Sequence, residues 1–464
     1  MSLRTWSKRV AQGLLVVVLL VASAWATSRL LGPTDAQEAA LATMREPLPA
    51  VERNAFAALW LMPYEVPVSE RDATFADDLR RVEAMQREAM LPGSGVHPNR
   101  SADAYDAPSP AAGRYPAAIA AEEFERFCKP RENCLKRVSA DLDGYAALIE
   151  RSAGLLDRIE ALEEYDGLHQ AFGLRFDSPM PAYQYGTLIR TRHAVWYRQG
   201  RTMDALDRTC RAITTWRRLG ANSDTLVSRI LGASYAGDAY ARQFAQMLVE
   251  MPRDAVLPAS CAKAFEPPAG EEVSICSAMR GEFAFMYSSI AIAREDRTLF
   301  SSRMSKLLSP LLFSEEMTAA SFAEPLAFYC RADILRAMAD DVPIVSPDAS
   351  RGDLGFQCLS NAYGCVLGGM ASPGFDGYAA QVMDTNARLR LIGALLRIRT
   401  DIGDTHPFSV RLKATVNNAG LRNRRVDISP DGRSLWLQNY RSGEAHWEIP
   451  LPAYFHSPAA EASR

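Results

Sequence analysis

The chain has few lysines and few histidines. Among its 464 residues, lysine occupies only positions 8, 129, 136, 263, 306 and 413, so the basic side chains are almost all arginine. This bias, together with abundant alanine, is typical of GC-rich bacterial coding rather than of phosphate binding. The net charge of −3 gives no electrostatic reason to expect nucleic acid as a partner.

Catalytic signatures are also missing. The sequence contains no H-E-x-x-H, no G-x-S-x-G, no phosphate loop and no G-x-G-x-x-G. The S-x-x-K match at residues 260–263 lacks the K-T-G motif that accompanies it in serine acyl-transferases. No catalytic residue and no cofactor is therefore predicted, which favours a non-enzymatic role. A pair of glycosidase carboxylates has no local signature, so that possibility stays open.

Metal binding is not predicted either. There is no C-x-x-C pair, and the histidines do not recur at ligand spacing. They are scattered over positions 97, 169, 193, 406, 446 and 456. We expect these side chains to serve packing and surface roles.

The most informative stretch that is present covers residues 10–26, an apolar run without charge. Arg4, Lys8 and Arg9 precede it, and its length is at the lower edge of what spans a bilayer. The basic flank predicts that the N-terminus stays in the cytoplasm and that the rest of the chain lies on the other side of the membrane. Two alternatives remain, a cleaved signal peptide with small-residue exits ending at Ala24 or Ala26, and a buried helix of a soluble protein.

Eight cysteines are present, an even number that suits disulfides in an exported protein. Three pairs are close in sequence, and local pairing is the simplest interpretation. The predicted bridges are Cys128–Cys134, Cys261–Cys276 and Cys358–Cys365. The remaining two, Cys210 and Cys330, are either buried thiols or a fourth bridge.

Most of the chain after the apolar run has helical periodicity. Apolar residues at three and four spacing over residues 135–159 predict one long helix packed in a bundle, with a self-standing coiled coil as the alternative. Ala194-Val195-Trp196, Gly200 and Ala205-Leu206 weakly resemble a tetratricopeptide helix pair, which implies helical hairpins. Further helices are predicted over residues 273–297, over 315–340 with a kink at Pro325, and over 378–399. Residues 342–377 are predicted to be a loop.

The C-terminal region changes character. Residues 426–449 alternate apolar and polar side chains around the turn signal of residues 429–432, which predicts three strands. The fold class is therefore mainly α: an irregular array of helical hairpins with a small C-terminal antiparallel β-meander.

Composition divides the chain into five predicted parts. They are an N-terminal anchor (1–31), a Pro-rich linker with a short docking segment and a long loop (32–117), a helical periplasmic domain (118–400), a small β-containing cap (401–455) and a disordered tail (456–464).

These features together predict a protein of the bacterial inner membrane, held in the lipid bilayer by residues 10–26. The expected function is binding or scaffolding of a protein partner in the periplasm. The alternatives are a periplasmic hydrolase acting on envelope polymer and a secretion-associated accessory or immunity protein. A polar cleft with converging carboxylates would favour the hydrolase, and an exposed apolar groove would favour the binder.

Overall fold

The computed structural model describes residues 3–89, 109–175, 177–295, 303–347, 355–370, 374–401, 403–441 and 443–455. Most of the predicted long loop and the predicted disordered tail lie outside these ranges. Helices dominate the described chain. In order they are α1 (Leu3–Leu31), α2 (Asp35–Met44), α3 (Phe56–Trp60), α4 (Arg71–Ala89), α5 (Ala111–Arg114), α6 (Ala121–Phe124), α7 (Cys134–Ala140), α8 (Leu142–Arg151), α9 (Ala153–Glu160), α10 (Ile189–Arg198), α11 (Thr202–Ala221), α12 (Leu226–Ser234), α13 (Ala241–Val249), α14 (Ala259–Ala264), α15 (Cys276–Glu295), α16 (Arg303–Leu312), α17 (Glu315–Ala327), α18 (Ala332–Ala339), α19 (Ala362–Met370), α20 (Asp376–Thr400) and α21 (Phe408–Asn418).

In the described ranges, the helices enclose two apolar cores, and α20 contributes to both. The first core gathers α3 and α7 to α11 with the C-terminal sheet, and the second gathers α2, α15 and α17. The N-terminal half of α20 buries Val382 and Met383 in the second core. Its C-terminal half buries Leu391 and Leu395 in the first. The predicted long C-terminal helix is thus present, and it ties the two cores together.

The prediction of one long helix over residues 135–159 is wrong, because the stretch forms α7, α8 and α9. Asp141 departs from helical geometry (φ −151°, ψ 63°), and its carboxylate accepts a hydrogen bond from the Gly144 N–H at 3.1 Å. A side chain that caps the next helix competes with continuation of the previous one. The apolar stripe still faces the core, since Leu148 and Leu156 are fully buried.

Successive helices do pack as hairpins over the region that resembles tetratricopeptide helices. Gly200 makes the turn from α10 to α11 with φ of +81°. Helices α11 and α12 touch at two glycines, and a Cβ on Gly232 would lie 2.5 Å from the Cα of Gly220. After α12 the helix widens to a π-helical turn, Tyr235–Tyr240, before α13.

Two segments that were interpreted as linker or loop contain helices. Residues 33–51 hold α2, which Thr34 caps through a capping box with Gln37. Residues 342–377 hold the 3₁₀ turn Phe356–Leu359 and α19. The 315–340 helix passes Pro325 and then breaks at the 3₁₀ turn Phe328–Cys330 before α18. The glycines and prolines in and around these helices hid them, although both helices pack against α17.

The C-terminal β-meander is confirmed. Its strands are β1 (Val426–Ile428), β2 (Ser434–Gln438) and β3 (His446–Pro450), all antiparallel in the order β1-β2-β3. Gly432, with φ of +73°, closes the exposed turn between β1 and β2. Leu435, Leu437 and Trp447 face the first core.

All eight cysteines form disulfides. The local bridges Cys128–Cys134 and Cys358–Cys365 are present. The predicted bridge Cys261–Cys276 is wrong, because each of these cysteines pairs with one of the two left open. The observed bridges are Cys210–Cys261, between α11 and α14, and Cys276–Cys330, between α15 and the turn after α17, with Cα atoms 4.9 and 4.8 Å apart.

Loop length predicts how much each bridge stabilises the protein. The Cys210–Cys261 bridge spans 51 residues and the Cys128–Cys134 bridge six. Replacing both cysteines by alanine should lower the free energy of unfolding by about 4 kcal/mol for the former and about 2 kcal/mol for the latter, because a longer closed loop restricts the unfolded chain more. Urea titration of the two matched double variants measures the difference. A linked Cys261–Cys276 peptide in a non-reducing digest would contradict the assignment.

Candidate functional site

The apolar part of α1 is bare. The segment Arg9–Leu31 is long and apolar enough to cross a membrane, and only 6% of its most apolar 18-residue stretch is buried. A helix of a soluble core would be buried over much of its surface. This finding argues against the buried-helix alternative and leaves a membrane anchor or a signal sequence.

The last two turns of α1, residues 25–31, are attached to the body, and we call them the helix foot. The indole N–H of Trp25 donates to the Leu311 carbonyl at 2.6 Å. The hydroxyl of Ser28, which is fully buried, lies 2.8 Å from both the Phe356 carbonyl and the Ser360 hydroxyl. The Arg29 guanidinium donates to the Phe313 carbonyl at 3.0 Å. The helix therefore enters the body through side-chain bonds rather than through a flexible connection.

The chain that follows the foot is held just as closely. The Gln357 amide donates to the Gly32 carbonyl and to the Gln37 side chain, both at 3.0 Å. Helix α2 then buries Leu41 and Met44 in the second core, against α17. The guanidinium of Arg280 on α15 closes the far end of α2 by donating to the Thr43 carbonyl at 3.1 Å. No stretch of free chain separates the foot from the core.

Two neighbouring segments of the body, residues 308–313 and 355–370, receive the foot, and we call them the collar. The buried Asn361 accepts hydrogen bonds from the Ser314 N–H at 2.8 Å and the Thr318 hydroxyl at 3.1 Å. A Cβ on Gly364 would lie 2.0 Å from the Thr318 hydroxyl, so α19 packs directly on α17. The Cys358–Cys365 bridge links the 3₁₀ turn to α19. These contacts make the collar a fixed part of the fold.

Elsewhere, several charged side chains surround Asp238 on the π-helical turn. Its carboxylate accepts from Arg131 at 3.1 Å and from Arg242 at 2.9 Å, with Arg388 at 3.6 Å and the Trp447 indole N–H at 3.3 Å. Burial opposes ionisation, but the three guanidinium groups hold the pKa of Asp238 below its usual value. The carboxylate is thus a saturated structural anion that joins α20 to the sheet, not a free acid or base.

A second ionic group lies beside it. The guanidinium of the buried Arg424 binds both Asp341 oxygens, at 2.7 and 2.8 Å, and reaches Asp384 on α20 at 2.6 Å. Asp384 also accepts the backbone N–H groups of Tyr440 and Arg441. Each charge has specific partners, so this group fastens the C-terminal cap to α20.

Histidine 193 lines a small cavity between α10 and α11. Its Nδ1 lies 3.2 Å from the Thr209 hydroxyl, and its Nε2 has no protein partner. Burial, followed by repulsion from Arg192 and Arg208, holds the pKa of His193 well below its usual value. The cavity measures about 20 Å³, which is room for one water molecule. This histidine is neutral and enclosed, so the geometry gives it no substrate.

Two acids have raised pKa values and lie on touching segments. Burial raises the pKa of Asp224 to about 6, although its carboxylate accepts the Gln170 N–H. Burial alone raises the pKa of Glu282 to about 7. A Cβ on Gly281, next to Glu282, would lie 1.5 Å from the Asp224 carbonyl oxygen, so α15 presses on this backbone. Raised carboxyl pKa values occur at catalytic sites and also at ordinary buried positions.

The six cysteines predicted from the sequence to form bridges do not lie together at one site. With Cys210 and Cys330 they form four disulfides in separate parts of the fold. The residues that attach the foot, Ser28 above all, carried no sequence signal, because a single serine at the end of an apolar run looks solvent-exposed. Among the residues that the structure describes, no group of three histidine, cysteine or acidic side chains is placed to hold a metal ion.

The raised pKa of Glu282 predicts a pH dependence of stability. Because the folded state keeps this proton until about pH 7, and the unfolded state releases it near 4.5, the free energy of unfolding should fall as pH rises between these values. Glu282→Gln should therefore be more stable than the unmodified chain by about 3 kcal/mol at pH 8 and equally stable at pH 4. Denaturation at both pH values measures this, with Glu150→Gln on the exposed face of α8 as the control. A gain that is equal at both pH values would refute the assignment.

Comparison with known proteins does not extend these observations. No protein family, no curated protein and no solved structure matches the chain.

Proposed function

We propose that the chain is a single-pass membrane protein of a bacterial cell envelope, whose body binds a protein partner in the periplasm. The observation that carries the proposal is the bare apolar helix joined to the body through the foot. A helix of this length and composition is stable in lipid, where all its backbone groups are paired within the segment. A secretion-accessory or immunity protein is one class of such a binder.

An uncleaved anchor is favoured over a signal peptide by the foot. Cleavage after Ala26 would remove Trp25 and its bond to the Leu311 carbonyl. It would also make Ser28 the second residue of the mature chain, where helices fray. Since Ser28 is fully buried between Phe356 and Ser360, loss of the preceding turns would loosen a packed part of the body.

The compartment is inferred from charge and from disulfides. The basic side chains of Arg4, Lys8 and Arg9 before the apolar stretch favour a cytoplasmic N-terminus. The body then faces the periplasm, which is oxidising, and all eight of its cysteines are bridged. These two independent observations support the same orientation.

Binding is favoured over catalysis because the buried charged side chains already have partners within the fold. Asp238 and Arg424 are surrounded by fixed partners, and the cavities at His193 and at Arg229 measure about 20 and 10 Å³. A substrate pocket needs several hundred Å³. The second candidate, a hydrolase of envelope polymer, is supported by one observation: the raised pKa values of Asp224 and Glu282.

The anchor is tested by fractionation of a bacterial host that makes the full chain. The protein should stay in the membrane pellet after alkaline carbonate, because α1 is embedded, and mass spectrometry should find the intact N-terminus. A reporter that folds only in the periplasm, fused after Arg464, should be active. A mature start near Thr27 would select the signal peptide, and a reporter active only in the cytoplasm would overturn the orientation.

Binding and hydrolysis are separated by incubating the purified full chain with isolated peptidoglycan. We expect no release of soluble fragments. Release that is abolished by Asp224→Asn and by Glu282→Gln, but kept by Glu150→Gln, would replace the binding function by a hydrolase. The matched glutamate substitution distinguishes loss of a reacting carboxyl from loss of one negative charge.

A further inference from the structure

The bare part of α1 is too short to cross a bilayer alone. Residues 10–23 are exposed, and these fourteen residues cover only about 21 Å at 1.5 Å per residue. The hydrocarbon layer is about 30 Å thick and needs about 20 residues. A span that starts after the basic cluster at Arg9 therefore ends near Arg29, inside the foot. The groups bonded to Trp25 and Ser28 then lie at the depth of the periplasmic edge of the hydrocarbon layer.

The polar side chains of the foot are bonded within the protein. Its four polar side chains all have partners inside the protein: Trp25, Ser28 and Arg29 bind carbonyls of the collar, and the Thr27 hydroxyl donates to the Ser23 carbonyl at 2.8 Å. Unpaired polar groups are costly in lipid, whereas at a wet surface they would bind water. A tryptophan at this depth also suits the membrane interface.

The collar carries no charge. Residues 308–313 and 355–370 contain no Asp, Glu, Lys or Arg, although 23% of the chain is charged. Large apolar side chains stand in the open on these segments: Leu311 is 45% exposed, Phe356 47% and Val366 58%. Leu30 and Leu31 of the foot are exposed as well, and α1 packs against the Phe356–Leu359 turn of the collar. An exposed apolar patch without charge, next to an apolar helix, is a surface for lipid.

We propose that the collar is a second membrane contact, seated in the interfacial layer of the bilayer that α1 crosses. The occupant of this surface is lipid, at the boundary between headgroups and acyl chains. The inference rests on the proposed function, since it needs α1 to be the anchor. It adds that the body lies against the membrane in one orientation, in which Leu311, Phe356 and Val366 face the bilayer.

Depth measurements on spin labels test this contact. All eight cysteines are bridged, so one introduced cysteine is the only thiol to label. Leu311→Cys and Phe356→Cys probe the collar. Val410→Cys, 53% exposed on α21, and Val256→Cys probe open positions elsewhere. Val18→Cys probes the bare helix.

Each labelled full chain is placed in bilayer nanodiscs of phosphatidylethanolamine and phosphatidylglycerol. Collision with oxygen, which concentrates in lipid, is compared with collision with a water-soluble nickel chelate. The ratio of oxygen to nickel accessibility should be severalfold higher at Leu311→Cys and Phe356→Cys than at Val410→Cys and Val256→Cys. It should be highest at Val18→Cys.

The outcomes distinguish failure of this membrane contact from failure of the proposed function. A Val18→Cys label open to nickel means that α1 is not an anchor, and the proposed function fails. A Val18→Cys label in lipid with collar labels that match Val410→Cys leaves the anchor standing and refutes the membrane contact. Collar labels shielded from both reagents mean that protein covers the surface, a second copy or a partner, which also overturns the proposal.

Discussion

Buried charge on α20 is the constraint on which the fold depends. This helix runs through both cores, yet Asp384 and Arg388 are buried on it. A buried charge without a partner costs several kcal/mol, so every element near it must supply one. Arg424 and the N–H groups of Tyr440 and Arg441 surround Asp384, and Asp238 faces Arg388. The π-helical turn belongs to the same arrangement, because a Cβ on Gly237 would lie 2.7 Å from the Thr385 side chain.

Local patterns predicted the elements whose causes are local. The turn chemistry of residues 429–432 and the alternation around it were enough for the β-meander, and the apolar run was enough for α1. The stripe over residues 135–159 misled, because its spacing is compatible with breaks at Asp141 and Ser152 that keep the same face buried. For a related reason, Cys261 forms its disulfide with Cys210 and not with Cys276. Closing the loop of 51 residues costs only about 1 kcal/mol more than closing the predicted shorter loop, so packing decides the pairing.

The candidate site was hidden because its parts are far apart in the chain. Ser28 and Ser360 are separated by 332 positions, and no periodicity in either segment points to the other. One signal was available: the stretch 355–370 has no charge in a chain that is 23% charged. Its glycines made it resemble a loop. The buried arginines of α20 were equally invisible, since the sequence shows Arg388 and Arg390 only as flanks of an apolar stripe.

The separation between Ser28 and its partners also sets an order of assembly. A ribosome adds roughly 5 to 20 residues per second, so the 332 positions from Ser28 to Ser360 take between about 17 and 66 seconds to make. For most of that interval α1 exists without the segments that later hold its foot. Helix α1 is therefore made long before its partners, so the foot is assembled late in the chain's synthesis rather than at its start.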